Sequence, residues 1–326
     1  MLKLYASLAF VFFAVDGLAA EWLPISDTVI KKLEDAGTKP AWPGGTAGVT
    51  VDRTTGDVYM IVSGQGCWKS SDQGASFERV DGGKVGGRCE TGFALNFDPQ
   101  GKRLACFMLD GPSARTLDAG KTWEPMNDKS RGFDFAAVDW TAEVPKVMWG
   151  VRHESGEIGL LSDDGKTWKV LDKGYKAFGV FDAQTLITSK GQGLLRSTDN
   201  AATWTKVCDT NPTSRVMVLF GGAGYWNTKE GLLVSKDKGA TWSVQGTAVD
   251  AVFGPYFGKD AENIVVVGKP GFQETTDGGK TWKVVAPLPP GDFGGNWFPN
   301  FAWDPVHNVF YASRMGKQTF KFVIQK

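Results

Sequence analysis

Six times along this 326-residue chain the pattern S/T-x-D-x-G-x-T/S-W recurs, and no other feature limits the fold so tightly. The copies run from Ser70 to Phe77, Thr116 to Trp123, Leu161 to Trp168, Ser197 to Trp204, Ser235 to Trp242 and Thr275 to Trp282. Their aspartates, Asp72, Asp118, Asp163, Asp199, Asp237 and Asp277, lie 46, 45, 36, 38 and 40 residues apart. Leu161, Ala201 and Phe77 each break the pattern at one position. A period near 40 carrying short β-patterned runs predicts an all-β propeller of four-stranded blades.

The motif has a local logic. Asp and the first Ser or Thr bond backbone amides within their own turn, and Gly supplies a positive φ. The Trp then opens the next strand and packs back over the turn, so each copy reads as the hairpin joining the third and fourth strands of a blade. The six aspartates are therefore structural, not metal ligands or catalytic acids. Before the copies lie paired strand-like runs, such as Val49 to Asp52 with Asp57 to Ser63 and Phe93 to Phe97 with Arg103 to Leu109. A last unit, Phe301 to Pro305, Asn308 to Arg314 and Gln318 to Ile324, lacks the aspartate turn. Seven blades are expected, with six as the alternative. Trp22 to Ile25 is the expected outermost strand that closes the ring. Ser26 to Ala36, with Val29, Ile30 and Leu33 at helical spacing, predicts one short helix.

These turns resemble the Asp-box, or BNR, repeat of sialidases, xyloglucanases, sortilin-type receptors and photosystem assembly factors. The resemblance spans nearly all of residues 21–326 and implies a single propeller domain. It marks the fold rather than the activity, because that group contains enzymes and non-enzymes alike.

Charge and composition narrow the function. The chain has 36 Lys plus Arg against 36 Asp plus Glu, which disfavours nucleic acid or a polybasic membrane anchor as partner. Its 42 glycines, about twice the usual share, and 13 tryptophans suit turns and sheets. Lys3, the apolar run Leu4 to Val15 and the small residues Gly17 to Ala20 predict a signal peptide over residues 1–20. Export to a periplasmic or extracellular space follows, with no later membrane span. Export permits disulfides. Cys67, Cys89, Cys106 and Cys208 allow three pairings, of which Cys67 with Cys89 is favoured, while Cys106 and Cys208 suit small buried apolar positions equally well. With two histidines and no C-x-x-C, no metal site is expected. Nucleotide-binding and serine-hydrolase motifs are missing, and no cofactor is expected.

In a propeller, the connections between blades and those joining second to third strands share one face around the axis. Cations gather in those predicted loops: Arg88, Arg131, Arg152, Arg215, Arg314, Lys190 and Lys269. Aromatic Tyr225, Trp226 and Trp297 are placed beside them. Arginine forks bind carboxylates, and aromatic faces stack on sugars. The expected partner is thus an anionic glycan or polysaccharide, held by a monomer.

Two catalytic versions fit. Resemblance to sialidases, which hold a carboxylate with three arginines, puts Arg88, Arg131, Arg152, Arg215 or Arg314 among the binders. The sialidase R-I-P segment is absent, however. A lyase needs a cation to neutralise a uronate and a base to take the adjacent proton. His153, flanked by Arg152 and Glu154, is the candidate base, with Tyr225 or Tyr256 as acid; His307 reads as structural. The alternative is a non-catalytic propeller serving as a protein or glycan interaction module.

Overall fold

The computed structural model describes residues 21–126, 132–145, 148–162, 167–293 and 299–324. Seven four-stranded antiparallel sheets stand around an axis, which decides between seven blades and six. The inner strands, in blade order, are Thr46–Val51, Leu95–Phe97, Phe133–Val138, Ala177–Val180, Val218–Phe220, Phe253–Phe257 and Asn300–Asp304. Blades 1 to 6 run outward in chain order.

Blade 7 is composite. Its fourth strand is Leu23–Pro24, paired with Thr319–Val323 so that Leu23 faces Lys321. The Ile25 amide extends the pairing to the Thr319 carbonyl at 2.8 Å. Trp22 fastens this strand: its indole donates to the Pro287 carbonyl at 3.0 Å, and its ring lies 5.5 Å from Phe272 and 5.4 Å from Phe322. Ring closure from the amino-terminal side is therefore as the sequence predicts. The helix is also present, over Asp27–Asp35, with Val29 and Leu33 buried.

The aspartate turns have one geometry in the five copies that are described. The leading Ser or Thr hydroxyl donates to the aspartate at 2.7–2.9 Å and accepts the amide two residues beyond that aspartate at 2.7–2.9 Å. The second Thr or Ser donates its amide to one carboxylate oxygen at 2.8–2.9 Å and its hydroxyl to the other at 2.6–2.7 Å. Two successive left-handed residues follow each aspartate, as at Gln73 (φ 59°) and Gly74 (φ 81°). Asp163 lies outside the described residues.

The aromatic after each turn packs where blades meet. Trp242 lies 5.7 Å from Trp226 and 6.4 Å from Phe181 of blade 4, and Trp204 lies 6.2 Å from Tyr175. Each fully buried aromatic contributes on the order of 2–3 kcal/mol.

A second aspartate series caps the turns from inner to second strands. Asp52, Asp98, Asp139, Asp182, Asp260 and Asp304 each accept the amide two residues on, at 2.8–3.1 Å. His307 belongs to this series: its Nδ1 lies 2.7 Å from Asp304, in the structural role expected of it.

The favoured Cys67–Cys89 bridge is not formed. All four cysteines are free thiols. Cys67, Cys89 and Cys106 are buried in the apolar core between blades 1 and 2, where Cys89 Sγ meets Met108 Sδ at 3.9 Å. They fill space as small apolar residues. Among the described residues, no helix is long and apolar enough to cross a membrane. Residues 1–20 are outside the described range.

Candidate functional site

The face opposite the aspartate turns is built from connections between blades and from turns joining second to third strands. One polar cluster assembles there, where blades 1, 2 and 3 meet. Arg88 lies on the connection from blade 1 to blade 2. Its amide donates to Asp110 at 3.0 Å and its guanidinium forms a close ion pair with the same carboxylate. Its Nε faces Glu90 at 3.6 Å, and its guanidinium lies 4.5 Å from the Trp42 ring. Trp42, on the segment leading into blade 1, is 69% exposed.

His153 sits in the turn after Met148–Arg152, held by its amide to the Gly132 carbonyl at 2.9 Å. Its Nδ1 pairs with Asp134 at 2.6 Å, and its Nε2 faces Glu154 at 3.6 Å. Burial pushes the Glu90 carboxyl above its usual range, against the opposing pull of His153 and Arg88. The cluster thus offers an Asp–His pair, a carboxyl whose pKa burial raises, an ion-paired guanidinium and an exposed indole. Such a set suits hydrogen bonding to a ligand of mixed charge, and proton transfer is within its chemistry.

The other expected site residues are dispersed. Arg152 packs its guanidinium 5.1 Å from the Phe133 ring and 4.7 Å from Trp168, and burial lowers its pKa. Arg215 lies 5.7 Å from the Phe135 ring. Lys190 pairs closely with Asp172 and sits 4.7 Å from the Tyr175 ring. Arg314 pairs with Asp292 at 3.3 Å in a hollow beside blade 7. Lys269 is exposed at the hairpin tip between Ile264–Gly268 and Gly271–Thr275. Arg131 and Trp297 lie outside the described residues.

Three aromatics are corrected. Tyr225 and Trp226 are not loop residues: they lie within the strand Ala223–Asn227 and are buried. Gly221 and Gly222, at φ 57° and 81°, form the tight turn after the inner strand, so the second strand runs on through Asn227 instead of ending before Tyr225. Tyr225 packs against Phe257 at 4.7 Å. Tyr256 is on the inner strand of blade 6, facing the axial cavity, and its burial raises the phenol pKa. None of the three joins His153.

Asp134, Glu90, Asp110 and Trp42 were not singled out in the sequence as site residues. The usable signal was weak: Glu90 two residues after Arg88, Asp134 three after Arg131, and an aromatic in the turn-rich Trp42-Pro43-Gly44-Gly45 segment.

No protein-family model matches the sequence, and no curated protein does either. Solved structures do. The chain is similar to YCF48 bound to D1 peptide, at 14% identity over 96% of this chain and 97% of that one, with a TM-score of 0.52. It is also similar to PorZ, a surface component of the type-IX secretion system of Porphyromonas gingivalis, at 12% identity over 89% of this chain and 39% of PorZ, with a TM-score of 0.52. An ancestral GH74 enzyme matches at 12% identity over 93% of this chain and 46% of the enzyme, with a TM-score of 0.47. What YCF48 and PorZ share with this chain is the β-propeller fold.

Proposed function

We propose that this chain is an exported, non-catalytic propeller of the Asp-box kind that docks a polypeptide segment on the face carrying Trp42, Arg88 and His153. The observation that supports this reading is the state of the cations. Arg88, Lys190 and Arg314 are each paired with a carboxylate, and Arg88, Arg152 and Arg215 each lie against an aromatic ring. With three of the cations paired and the set dispersed, they do not converge into the cationic site that an anionic polysaccharide would need. An exposed indole beside a half-buried Arg, ringed by hydrogen-bonding groups, is instead the make-up of a protein-binding hot spot. The YCF48 neighbour bound to a D1 peptide is a precedent for the fold in such a role.

The test is selection from a displayed peptide library, with affinities measured by fluorescence anisotropy. Selected peptides should lose tenfold or more in affinity with Trp42→Ala or Arg88→Ala and be unaffected by Lys269→Ala. Binders indifferent to Trp42 and Arg88 would sink the proposal.

A second reading, acid–base chemistry on an anionic glycan, rests on the Asp134–His153 pair beside the half-buried Glu90 carboxyl. It requires turnover of an anionic polysaccharide or sialoside, seen as new reducing ends and lost in His153→Ala. Ends bearing an unsaturated uronate would mark a lyase, and ends without it a hydrolase.

A further inference from the structure

The inner strands enclose an axial cavity of about 240 Å³, far from the His153 cluster in character. Its walls are mostly apolar, with Val51, Val138, Val180, Met217, Phe257 and Trp303 among them. At one end Phe93 of blade 2 reaches across the axis and stacks on Phe253 of blade 6, with ring centroids 5.8 Å apart. At the other end stands Arg53, on the turn that follows the inner strand of blade 1.

Arg53 is an unusual cation to find there. Its Nε donates to the Phe257 carbonyl at 3.2 Å, its Nη1 to Pro99 at 3.3 Å, and its Nη2 closely to Gly258. The guanidinium also lies 4.8 Å from the Phe220 ring. These contacts engage three of its five N–H groups, all with neutral acceptors. The carboxylates close by are committed elsewhere: Asp52 to the Thr54 and Lys102 amides at 2.9 Å each, and Asp98 to Arg103. No ion pair to Arg53 is formed among the described residues. Burial works against the Arg53 charge, while neighbouring Asp52 supports it only at a distance, without an ion pair. A partly desolvated cation whose hydrogen bonds all go to neutral acceptors favours an added anion, and Arg presents its remaining donors as a fork that matches a carboxylate.

We propose that the axial cavity binds a small amphipathic carboxylate, its head on Arg53 and its hydrocarbon tail among the inner strands. The volume sets the size of the tail. At roughly 30 Å³ for each water-sized group, the cavity takes about eight carbons. Carbon walls supply affinity through burial of the tail, and the guanidinium selects an acid over a neutral guest.

Isothermal titration of the purified chain with octanoate, and with 1-octanol as its uncharged counterpart, tests this. Octanoate should bind at one site per chain and raise the thermal midpoint. Arg53→Gln should weaken octanoate at least tenfold and leave 1-octanol within twofold, which also shows that the variant is folded. Thr50 lines the cavity on the inner strand of blade 1, and Thr50→Phe should abolish binding of both. Absence of octanoate binding to the unaltered chain overturns the proposal without recourse to any variant. Octanoate binding that survives Arg53→Gln undiminished, or that proceeds at several sites untouched by Thr50→Phe, overturns it equally.

Discussion

At the scale of single residues, the aspartate turns carry a sharp prediction at the one described copy that lacks the glycine. Ala201 occupies a position held by glycine in the other four described copies, yet keeps the left-handed backbone, with φ 65°. A Cβ in that conformation costs about 1–2 kcal/mol, partly offset because glycine is freer in the unfolded chain. Ala201→Gly should therefore stabilise the fold by about 0.5–1 kcal/mol, read as a shift in the denaturant midpoint. The turn carboxylates also set the acid limit. Hydrogen bonds from the second Thr or Ser of the turn hold Asp72, Asp199, Asp237 and Asp277 at about 2, below the ordinary 3.8. A depressed folded pKa stabilises above the unfolded value and is lost as pH falls through the folded one. The thermal midpoint should therefore decline between about pH 4 and pH 2 on account of these groups. An Asp237→Asn variant should show a shallower acid decline. Because neutral donors cause the shift, added salt should change it little. The turn residues were legible in the sequence because donor and acceptor lie within four positions of each other. The partners of Arg88 and His153 were not, because Asp110 and Asp134 lie 22 and 19 residues away and reach them only once the first and second strands of a blade have paired, as Phe133 does with Arg152.

At the scale of elements, the two-residue strand Leu23–Pro24 is too short to hold itself by backbone pairing. Its flanks hold it, through the Trp22 indole and the Ser26 hydroxyl, which accepts the Thr319 amide at 3.0 Å. Trp22→Ala removes one indole bond and two ring contacts, and should cost about 2 kcal/mol in a chemical denaturation curve. Leu23→Ala, at an exposed position, should cost less than about 0.5 kcal/mol. This strand and the helix after it were both legible, one from an unpaired apolar run before the first repeat and the other from spacing alone. Tyr225 and Trp226 were misplaced because alternation does not show where a hairpin begins. The double glycine ahead of them was the better marker, since two adjacent left-handed residues leave room only for a tight turn.

At the scale of the whole molecule, the buried thiols report on the integrity of the ring. Burial pushes the Cys89 and Cys106 thiols well above their usual range, so neither supplies a thiolate in the folded state. Ellman's reagent should find Cys208, which is half-buried, and leave Cys67, Cys89 and Cys106 unreacted until the protein unfolds. The slow phase should track global opening, since these three lie in one core cluster bridging blades 1 and 2. Early reaction of two or more thiols would show that this junction opens independently of the rest.

The composite seventh blade also dictates an order of events. Leu23 and Lys321 face each other although 298 residues separate them. Bringing such distant points of a disordered chain together costs about 5 kcal/mol of loop entropy, more than two paired residues return. The contact becomes favourable only once the intervening blades have stacked and carried the two segments side by side. On the ribosome, Leu23–Pro24 must therefore wait, unpartnered, until Thr319–Val323 has emerged. Until then the nascent arc ends in an open sheet edge, and this interval is when the polypeptide is most exposed to pairing with the wrong chain.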